Sequence, residues 1–348
     1  MGTTIKDVAV KAGVSTATVS RVFAPENSVS VAEKTRGRVM DVAEKLGFRV
    51  NFAARSLKRQ ATMTIGVVLP ELANDFFMDV AEGIEQELKT SGYTMLLSSS
   101  RNSIEEEKKR ICFLADRMVD GILVIPAGSQ GEHLQALSDQ GMPIVLLDRI
   151  VEGTELDAVT SDNEGGTFHL TKALLAEGFK RIAFVGGEIT LSIAKERFSG
   201  YTRALAEAEI KPESSWICFG GMEVNDGYRL MSNLLEKPNP PEAMVAVNLM
   251  IHLGMERYLL EKDVRTRVVI AGFDESRYTP FLPACCYTAS QDAAGMGKCA
   301  SQLIIEMIRV KKAPKSEQKL TGRKTERRII RLPVTISRTK QMMTCTSN

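Results

Sequence analysis

Apolar residues near the start of the chain repeat at the spacing of short helices. This spacing extends over residues 5–12 and again over residues 14–23, with Gly13 between them where the chain must turn. Ser15 is placed to cap the second helix, and a third helix is predicted over residues 32–46. When the apolar residues of the second helix face inward, its outward set is Thr16, Ala17, Ser20 and Arg21. The pattern predicts a helix-turn-helix, whose second helix fits the major groove of DNA.

Residues 51–58 form another predicted amphipathic helix, between the helical head and the first apolar strand at residues 64–70. An isolated helix of this length is marginal in water. We therefore expect this hinge helix to be stable only when it packs against a symmetry mate or nucleic acid.

From residue 64 onward, short apolar runs alternate with helical stretches such as residues 80–88. The runs are residues 65–69, 93–97, 121–125 and 143–147, and then 181–187, 215–219, 244–247 and 268–273. Alternation of strands and helices predicts a parallel sheet covered on both faces. Because the pattern occurs twice, the predicted fold is a small all-α helix-turn-helix head plus an α/β body of two doubly wound parallel-sheet lobes.

These patterns divide the chain of 348 residues into four parts. They are a DNA-binding head at residues 1–50, a hinge helix and linker at 51–62, a two-lobed body for effector binding and dimerisation at 63–340, and a tail at 341–348. We expect one lobe to comprise residues 63–161 and 292–320, and the other to comprise residues 162–291 and 321–340. The apolar alternation at residues 329–336 predicts the last strand of the body.

The net charge of +2 conceals three different segments. Residues 1–60 contain 11 Lys and Arg against 5 Asp and Glu, residues 61–308 contain 22 against 36, and residues 309–348 contain 12 against 2. A basic block ahead of an acidic body is typical of a nucleic-acid-binding head on a larger module. The basic C-terminal segment has two interpretations, a solvated loop with a frayed end or a second patch that contacts DNA.

Several classes of protein are disfavoured by what the sequence lacks. No apolar run approaches the ~20 residues of a membrane span, and no apolar stretch of a secretory signal follows Met1, so a cytoplasmic protein is expected. The six cysteines lack paired metal-site spacing and the three histidines are far apart, so we predict neither metal nor cofactor. Phosphate-binding glycine loops, a nucleophile elbow and a His-centred acid/base pair are also lacking, so we predict that the protein is not an enzyme.

In sheets of this kind, ligands bind beyond the carboxyl ends of the strands, and two facing lobes form a cleft. Aspartates in such places also cap helices, and Phe76 and Phe77 also suit a core. Carboxylates and amides around an arginine and aromatic rings suit a polyol, because carboxylates accept from hydroxyls and arginine donates. We therefore predict a sugar-like effector. Its candidate residues are Asn74, Phe76, Phe77, Asp148, Arg149, Ser192, Arg197, Asn248, Asp274 and Gln291, with Asp75 beside them.

Strings along nearly the whole chain, to about residue 310, resemble the lactose/galactose-repressor family of bacterial transcription regulators. In the head they are residues 4–9, 12–15, 18–22, 29–30, 34–36 and 51–57, and in the body residues 145–148, 197–201 and 272–275. The resemblance implies a homodimer, with a tetramer as an alternative, on pseudo-palindromic double-stranded operator DNA. It also implies a body like that of the periplasmic binding proteins.

The resemblance assigns roles in DNA binding. Recognition helices would occupy adjacent major grooves, and paired hinge helices would enter the minor groove, where Leu57 would wedge between central base pairs. The DNA-contacting residues implied are Thr4, Ser15, Thr16, Ala17, Ser20, Arg21, Asn51, Ala54 and Leu57. The family pattern is not followed at Ala24, Val50 and the Val31 and Ala32 pair.

For the body, the resemblance places Asp148, Arg197 and Asp274 at effector-contacting positions, whereas Asn248 lacks the aspartate that usually follows it. The predicted function is a transcriptional regulator, a repressor of a sugar-utilisation operon, controlled by a small effector between the lobes. A regulator corepressed by a purine or by a phosphorylated carrier protein is one alternative. A non-regulatory sugar-binding protein is another, but it would carry a signal peptide and no helix-turn-helix.

Overall fold

A computed structural model of the chain describes residues 3–23, 31–48, 61–264, 268–312 and 327–339. The chain divides into two compact units, residues 1–62 and 63–348. The predicted hinge helix, with Asn51, Ala54 and Leu57, lies outside the described residues, as do Ala24, Val50 and the tail at 341–348.

The first unit contains three helices, α1 (Ile5–Ala12), α2 (Thr16–Val22) and α3 (Glu33–Lys45). Thr4 and Asp7 form a reciprocal capping box at the start of α1, and Gly13 ends that helix with a left-handed φ of 62°. The Ser15 hydroxyl accepts a hydrogen bond from the Thr18 amide at 3.1 Å and so caps α2. The small core of the unit is centred on Val8, Val19 and Val39.

The second unit contains two six-stranded sheets. The first has the strand order β11-β5-β4-β3-β1-β2, and each pair in it is parallel. Its strands are β1 (Thr64–Leu69), β2 (Thr94–Ser99), β3 (Gly121–Val124), β4 (Ile144–Leu147), β5 (Asp157–Ser161) and β11 (Ile329–Leu332). The accompanying helices are α4 (Asp75–Thr90), α5 (Ile104–Asp116), α6 (Glu132–Asp139) and α11 (Ala293–Lys312).

The second sheet repeats this order as β12-β10-β9-β8-β6-β7, with β12 antiparallel to β10. Its strands are β6 (Ile182–Val185), β7 (Ile217–Cys218), β8 (Ala243–Ala246), β9 (Val269–Phe273), β10 (Cys285–Gln291) and β12 (Val334–Arg338). Its helices are α7 (Asn163–Ala176), α8 (Ser192–Glu207), α9 (Val224–Leu235) and α10 (Leu249–Glu261), with 3-10 turns at Ser214–Trp216 and Thr279–Phe281. Each sheet with its helices forms one lobe.

The chain passes between the lobes three times. Helix α7 follows β5 of the first sheet but packs on β10 and β12 of the second, and α11 follows β10 but packs on β3, β4 and β5 of the first. The third crossover joins β11 to β12 at Pro333. The expected assignment of residues 321–340 to the second lobe is therefore wrong for Ile329–Leu332, which pairs with β5. The single strand predicted over residues 329–336 is two strands in different sheets, because Pro333 has no amide hydrogen to continue one ladder.

Glycines let neighbouring helices approach closely. A Cβ added at Gly83 of α4 would strike the backbone carbonyl of Ala294 in α11, and one at Gly297 of α11 would strike that of Val80. The pair α9 and α10 has the same relation through Gly227 and Gly254. Backbone-to-backbone packing of this kind leaves no room for any side chain larger than hydrogen.

Candidate functional site

The outward face of α2 presents a polar surface. Thr16, Ala17, Ser20 and Arg21 are all exposed, while Val19 and Val22 are buried. Arg36 of α3 donates to the carbonyl of Val22 at 3.2 Å, which ties α3 to the end of α2. The helix is therefore held by its neighbours while its other face remains available for a partner.

Two of the predicted DNA-contacting residues also serve as helix caps. The Thr4 hydroxyl donates to the Asp7 carboxylate at 2.7 Å, and Ser15 accepts from the Thr18 amide. Both side chains are exposed. A hydroxyl has two lone pairs and one hydrogen, so capping uses only part of its hydrogen-bonding capacity.

A cleft lies between the two lobes of the second unit and encloses about 430 Å³, including space open to solvent. Nine of the ten predicted effector residues line it: Asn74, Phe76, Phe77, Asp148, Arg149, Arg197, Asn248, Asp274 and Gln291. The lining residues that the sequence did not reveal are Glu71, Asn102, Ile193, Met222 and Glu223.

Ser192 is the predicted effector residue that does not line the cleft. Its hydroxyl accepts a hydrogen bond from the Ile150 amide of the other lobe at 2.8 Å. Lys195 and Glu152 form a second link between the lobes at 2.9 Å, and Arg277 and Asp75 form a third at 3.2 Å. Ser192 and Asp75 thus join the lobes directly.

Asp148 and Asp274 occupy equivalent places in the two lobes. Each is the residue after the fourth strand of its sheet, and each has a left-handed φ, of 58° and 72° respectively. The Asp148 amide donates to Val159 of β5, and the Asp274 amide donates to Ala289 of β10. Aspartate tolerates this conformation better than most residues do. The geometry directs two carboxylates toward the cleft from opposite sides.

Arg197 is the largest fully buried side chain of the described chain, with 1% exposure. Its Nε donates to Asn163 Oδ1 at 2.8 Å, its Nη1 donates to the Val247 carbonyl at 2.6 Å, and the guanidinium lies 3.6 Å from the centroid of the Phe273 ring. Burial lowers the pKa of Arg197, while the carboxylates of Asp274 and Asp148 raise it. The Arg197 guanidinium is thereby fixed on one side, and its remaining N–H groups can donate to a ligand.

Arg149 and Asp148 form a buried pair on the first lobe. Arg149 Nη1 donates to the Pro126 carbonyl at 2.8 Å, and its Nε lies 3.8 Å from Asp148 Oδ2. Burial raises the pKa of Asp148, and Arg197 and Arg149 oppose that shift. Burial in turn lowers the pKa of Arg149. Two arginines facing this carboxylate compensate in part for its removal from water.

Three polar atoms of the cleft residues are buried and have no hydrogen-bond partner within the described chain. They are Asp148 Oδ1, Arg149 Nε and Gln291 Oε1. Gln291 directs its amide nitrogen to Asp274 Oδ1 at 2.5 Å, which leaves the amide oxygen unpaired. Buried polar groups are rarely left unsatisfied. The cleft residues thus offer two acceptors and one donor that the described chain does not use.

Two amides of the lining also have structural roles. Asn74 Oδ1 caps α4 by accepting from the Phe76 amide at 3.1 Å, and Asn248 Oδ1 caps α10 by accepting from the Ile251 amide at 2.8 Å. Asn248 Nδ2 also donates to the Met222 carbonyl at 3.0 Å. These residues shape the cleft whether or not they touch a ligand.

The C-terminal arginines of the described chain are engaged with the body. Arg327 donates to the carbonyls of Leu156 and Val151, Arg328 pairs with Asp157 and Glu306, and Arg331 pairs with Glu196. Arg338 pairs with Glu177 at 3.0 Å. Arg328, Arg331 and Arg338 are thus paired with acidic residues of the lobes, whereas Arg327 is held by backbone carbonyls; the second DNA-contacting patch stays a prediction. Residues 313–326 lie outside the described chain.

Across the described ranges, no helix is long and apolar enough to cross a membrane. Within the same ranges, no group of three or more His, Cys, Asp or Glu side chains is arranged to hold a metal ion. The cysteines described there are free thiols.

Two family models together match most of the chain. Residues 62–331 match the periplasmic binding proteins and sugar binding domain of the LacI family, and residues 4–51 match the bacterial regulatory proteins of the lacI family. The regulator RegA of Clostridium saccharobutylicum is 32% identical over 315 residues, covering 89% of this chain and 94% of RegA. The repressor PurR of Mannheimia succiniciproducens is 31% identical over 313 residues, covering 89% and 93%.

Solved structures show the same architecture. The lac repressor dimer bound to operator and the anti-inducer ONPF superposes with a TM-score of 0.81 at 23% identity, covering 98% of this chain and 99% of that one. The complex of the regulator CelR with cellobiose superposes with a TM-score of 0.70 at 26% identity, covering 97% and 99%. The predicted fold class is confirmed.

A helical head with an exposed recognition helix, joined in one chain to a two-lobed ligand-binding body, defines a DNA-binding transcriptional regulator. The chain belongs to the LacI family of bacterial regulatory proteins. The family resemblance predicted from the sequence is confirmed, and so is the prediction that the protein is not an enzyme, because its relatives are transcriptional regulators.

Proposed function

We propose that this regulator represses a sugar-utilisation operon and that a sugar or sugar derivative bound in the cleft controls its affinity for the operator. It acts in the cytoplasm, on the nucleoid, as a homodimer or a dimer of dimers. Residues 1–50 bind DNA, residues 51–62 form the hinge, and the two-lobed body extends to residue 340. The observation that carries the proposal is the set of unsatisfied buried atoms at Asp148, Arg149 and Gln291.

The head supports the DNA-binding half of this proposal through its exposed residues. We assign base and phosphate contacts to Thr4, Ser15, Thr16, Ala17, Ser20 and Arg21 in the recognition region. Asn51, Ala54 and Leu57 of the hinge segment complete the DNA-binding set. Thr16 and Ala17 are short, so direct readout at these two positions is modest, with the Ala17 methyl suited to a thymine methyl.

The charges of the cleft favour an uncharged ligand. Four carboxylates line it, from Glu71, Asp148, Glu223 and Asp274, against the two guanidiniums of Arg149 and Arg197. A phosphate or carboxylate group would meet this excess of negative charge in a partly dry site, where repulsion is strong. Hydroxyl groups can donate to the carboxylates and accept from the arginines, which supports a neutral polyol.

A purine corepressor is the second candidate. It is favoured by the similarity to PurR and by the ring of Phe76 at the cleft. The ring of Phe77 suits stacking less well, since the Arg149 guanidinium already lies 6.0 Å from its centroid. The same experiment distinguishes the two candidates.

The experiment is a titration of operator affinity in the presence of neutral sugars, sugar phosphates and purines. Because binding at the two sites is reciprocally coupled, we expect one class of neutral sugar to change operator affinity roughly 5- to 150-fold. Arg197→Lys should abolish this response, since an ammonium cannot replace the fork that contacts Asn163 and Val247 together. Arg203→Lys, on an exposed side of the same helix, is the matched control and should retain it.

A response of operator affinity to purines alone would favour the second candidate, a purine corepressor, over a sugar effector. If no small ligand of the panel changed operator affinity, the proposal of an effector-gated regulator would be refuted.

A further inference from the structure

Asn163 lies at the first crossover between the lobes and is completely buried. Its Oδ1 accepts from Arg197 Nε at 2.8 Å, and its Nδ2 donates to Glu196 Oε2 and to the Ser161 carbonyl, both at 3.2 Å. Since a guanidinium only donates, the amide oxygen must face Arg197, and the amide nitrogen must face Glu196. The orientation of this one amide therefore connects the cleft arginine to a carboxylate.

Glu196 continues the connection across the lobes. It belongs to α8 of the second lobe, and it accepts two hydrogen bonds from Arg331 in β11 of the first lobe, Nη2 to Oε1 at 2.7 Å and Nη1 to Oε2 at 3.0 Å. This is a bidentate pair, the geometry that makes an arginine–carboxylate contact both strong and directional. Arg331 lies two residues before Pro333, at the third crossover.

We propose that Asn163, Glu196 and Arg331 form a relay that positions the Arg197 guanidinium and ties its place in the cleft to two of the three crossovers. The inference rests on the proposed function, in which the cleft binds the effector. These three are positioning residues, because they act on the ligand through Arg197. None of them lines the cleft.

The relay differs from the other links between the lobes in its connection to the buried interior. Lys195 with Glu152 is a single contact between exposed side chains, and Arg277 with Asp75 is a bidentate pair at 3.2 and 3.4 Å. The Arg331 and Glu196 side chains are 43% and 21% exposed, their two hydrogen bonds are shorter, and Glu196 also accepts from the completely buried Asn163. Rotation of one lobe against the other would move Arg331 relative to Glu196 and so break both hydrogen bonds together.

The Ile150 amide reports the closure of the lobes without any ligand, because its hydrogen-bond acceptor is Ser192 Oγ of the other lobe. We would measure its hydrogen exchange by mass spectrometry in the full-length protein without effector or operator. Arg331→Gln removes the charged bidentate pair, and we expect exchange at Ile150 to become about tenfold faster, as for the loss of a charge-assisted contact. Arg331→Lys, which restores one charged contact, should give an intermediate rate.

Arg338→Gln is the matched control. Arg338 lies in β12 and pairs with Glu177, the residue that follows α7, so its ion pair is within one lobe. We expect no change at Ile150 in this variant, and core amides around Phe184 should stay protected in every variant. If Arg331→Gln does not fold, the hydrogen-exchange rate of the Ile150 amide in Arg331→Lys still tests the relay.

Unchanged exchange at Ile150 in the Arg331 variants, or an equal increase in Arg338→Gln, would overturn the relay. Such a result would leave the proposed function intact, since the measurement uses neither sugar nor DNA. Conversely, a failed sugar titration would refute the proposed function without altering the exchange rates.

Discussion

At the scale of single residues, the cleft is built from groups held under constraint. Asp148 and Asp274 take a left-handed backbone conformation that costs free energy for most residues. Arg197 is buried with two of its nitrogens already committed. Constrained groups of this kind are preorganised, which lowers the entropic cost of binding a ligand.

Asp148 should make stability depend on pH. Because burial raises its pKa, the folded chain binds this proton more tightly than the unfolded chain does, and the resulting stabilisation is lost as the pH rises through the folded value. Asp148→Asn removes that dependence. Relative to wild type, the variant should therefore gain stability as the pH rises from the ordinary aspartate pKa of about 4 to the raised folded value, by about 1.4 kcal/mol for each unit of pKa elevation.

Urea unfolding followed by the fluorescence of Trp216, the single tryptophan, would measure this difference. Asp292→Asn, at an exposed helix cap, controls for the loss of one negative charge. A difference between Asp148→Asn and wild type that stayed constant with pH, or fell as the pH rose, would contradict the assignment.

At the scale of elements, the sequence predicts the apolar strands and misses the polar ones. The buried strands β1, β3, β4 and β9 are nearly continuous apolar runs and lie close to their predicted places. Strand β5 reads Asp-Ala-Val-Thr-Ser, and β10 ends in Thr-Ala-Ser-Gln, so neither shows an apolar run although both are largely buried. Their burial comes from partners remote in sequence, such as β11, which local patterns cannot show.

The residues of the candidate site also divide into those that the sequence predicts and those that it misses. Residues directly after apolar strands, such as Asp148 and Asp274, are predictable because the carboxyl ends of parallel strands meet at one edge. Glu71, Asn102 and Glu223 lie in loops whose course depends on the packed lobes. Ser192 has the expected position along the chain, but its hydroxyl is used across the lobes. Glycine contacts between helices were likewise not predicted, since a glycine alone does not reveal its neighbour.

Gly83 should tolerate no side chain. In Gly83→Ala the new methyl group would overlap the Ala294 carbonyl, and because this is backbone the helices α4 and α11 must separate. We expect a loss of about 1–3 kcal/mol in the free energy of unfolding. Hydrogen exchange of the α4 and α11 amides in the full chain would measure it.

Gly37→Ala serves as the control, because nothing lies within 4 Å of its added Cβ in the exposed part of α3. It should stabilise its own helix by about 0.5–1 kcal/mol. If Gly83→Ala proved neutral or stabilising, as expected for Gly37→Ala, the close packing of α4 against α11 would be contradicted.

At the scale of the whole molecule, basic residues are in excess in the DNA-binding head and acidic residues are in excess in the two-lobed body. The basic head carries the excess of Lys and Arg over residues 1–60, and the acidic excess lies in the two-lobed body. The described arginines of the C-terminal segment balance part of that acidity at Asp157, Glu306, Glu196 and Glu177. Electrostatic attraction of the basic head to DNA phosphates should make operator affinity fall steeply with salt.

Coupling between head and body needs two arrangements of the lobes with different preferences for ligand and DNA. The links at Ser192, Glu196 and Asp75 define one closed arrangement. A ligand that binds the closed arrangement more tightly than an open one shifts the equilibrium toward the closed arrangement. The size of the shift is set by the ratio of the ligand's affinities for the two arrangements.

The most direct test of the account is selection of binding sites for the full-length protein from random double-stranded DNA. A dimer with one recognition helix per subunit requires two half-sites related by two-fold symmetry. We predict an enriched pseudo-palindromic consensus with a flexible pyrimidine–purine step near its centre. An enriched site without two-fold symmetry, or no enrichment above random sequence, would contradict the claim that this chain is a dimeric operator-binding regulator.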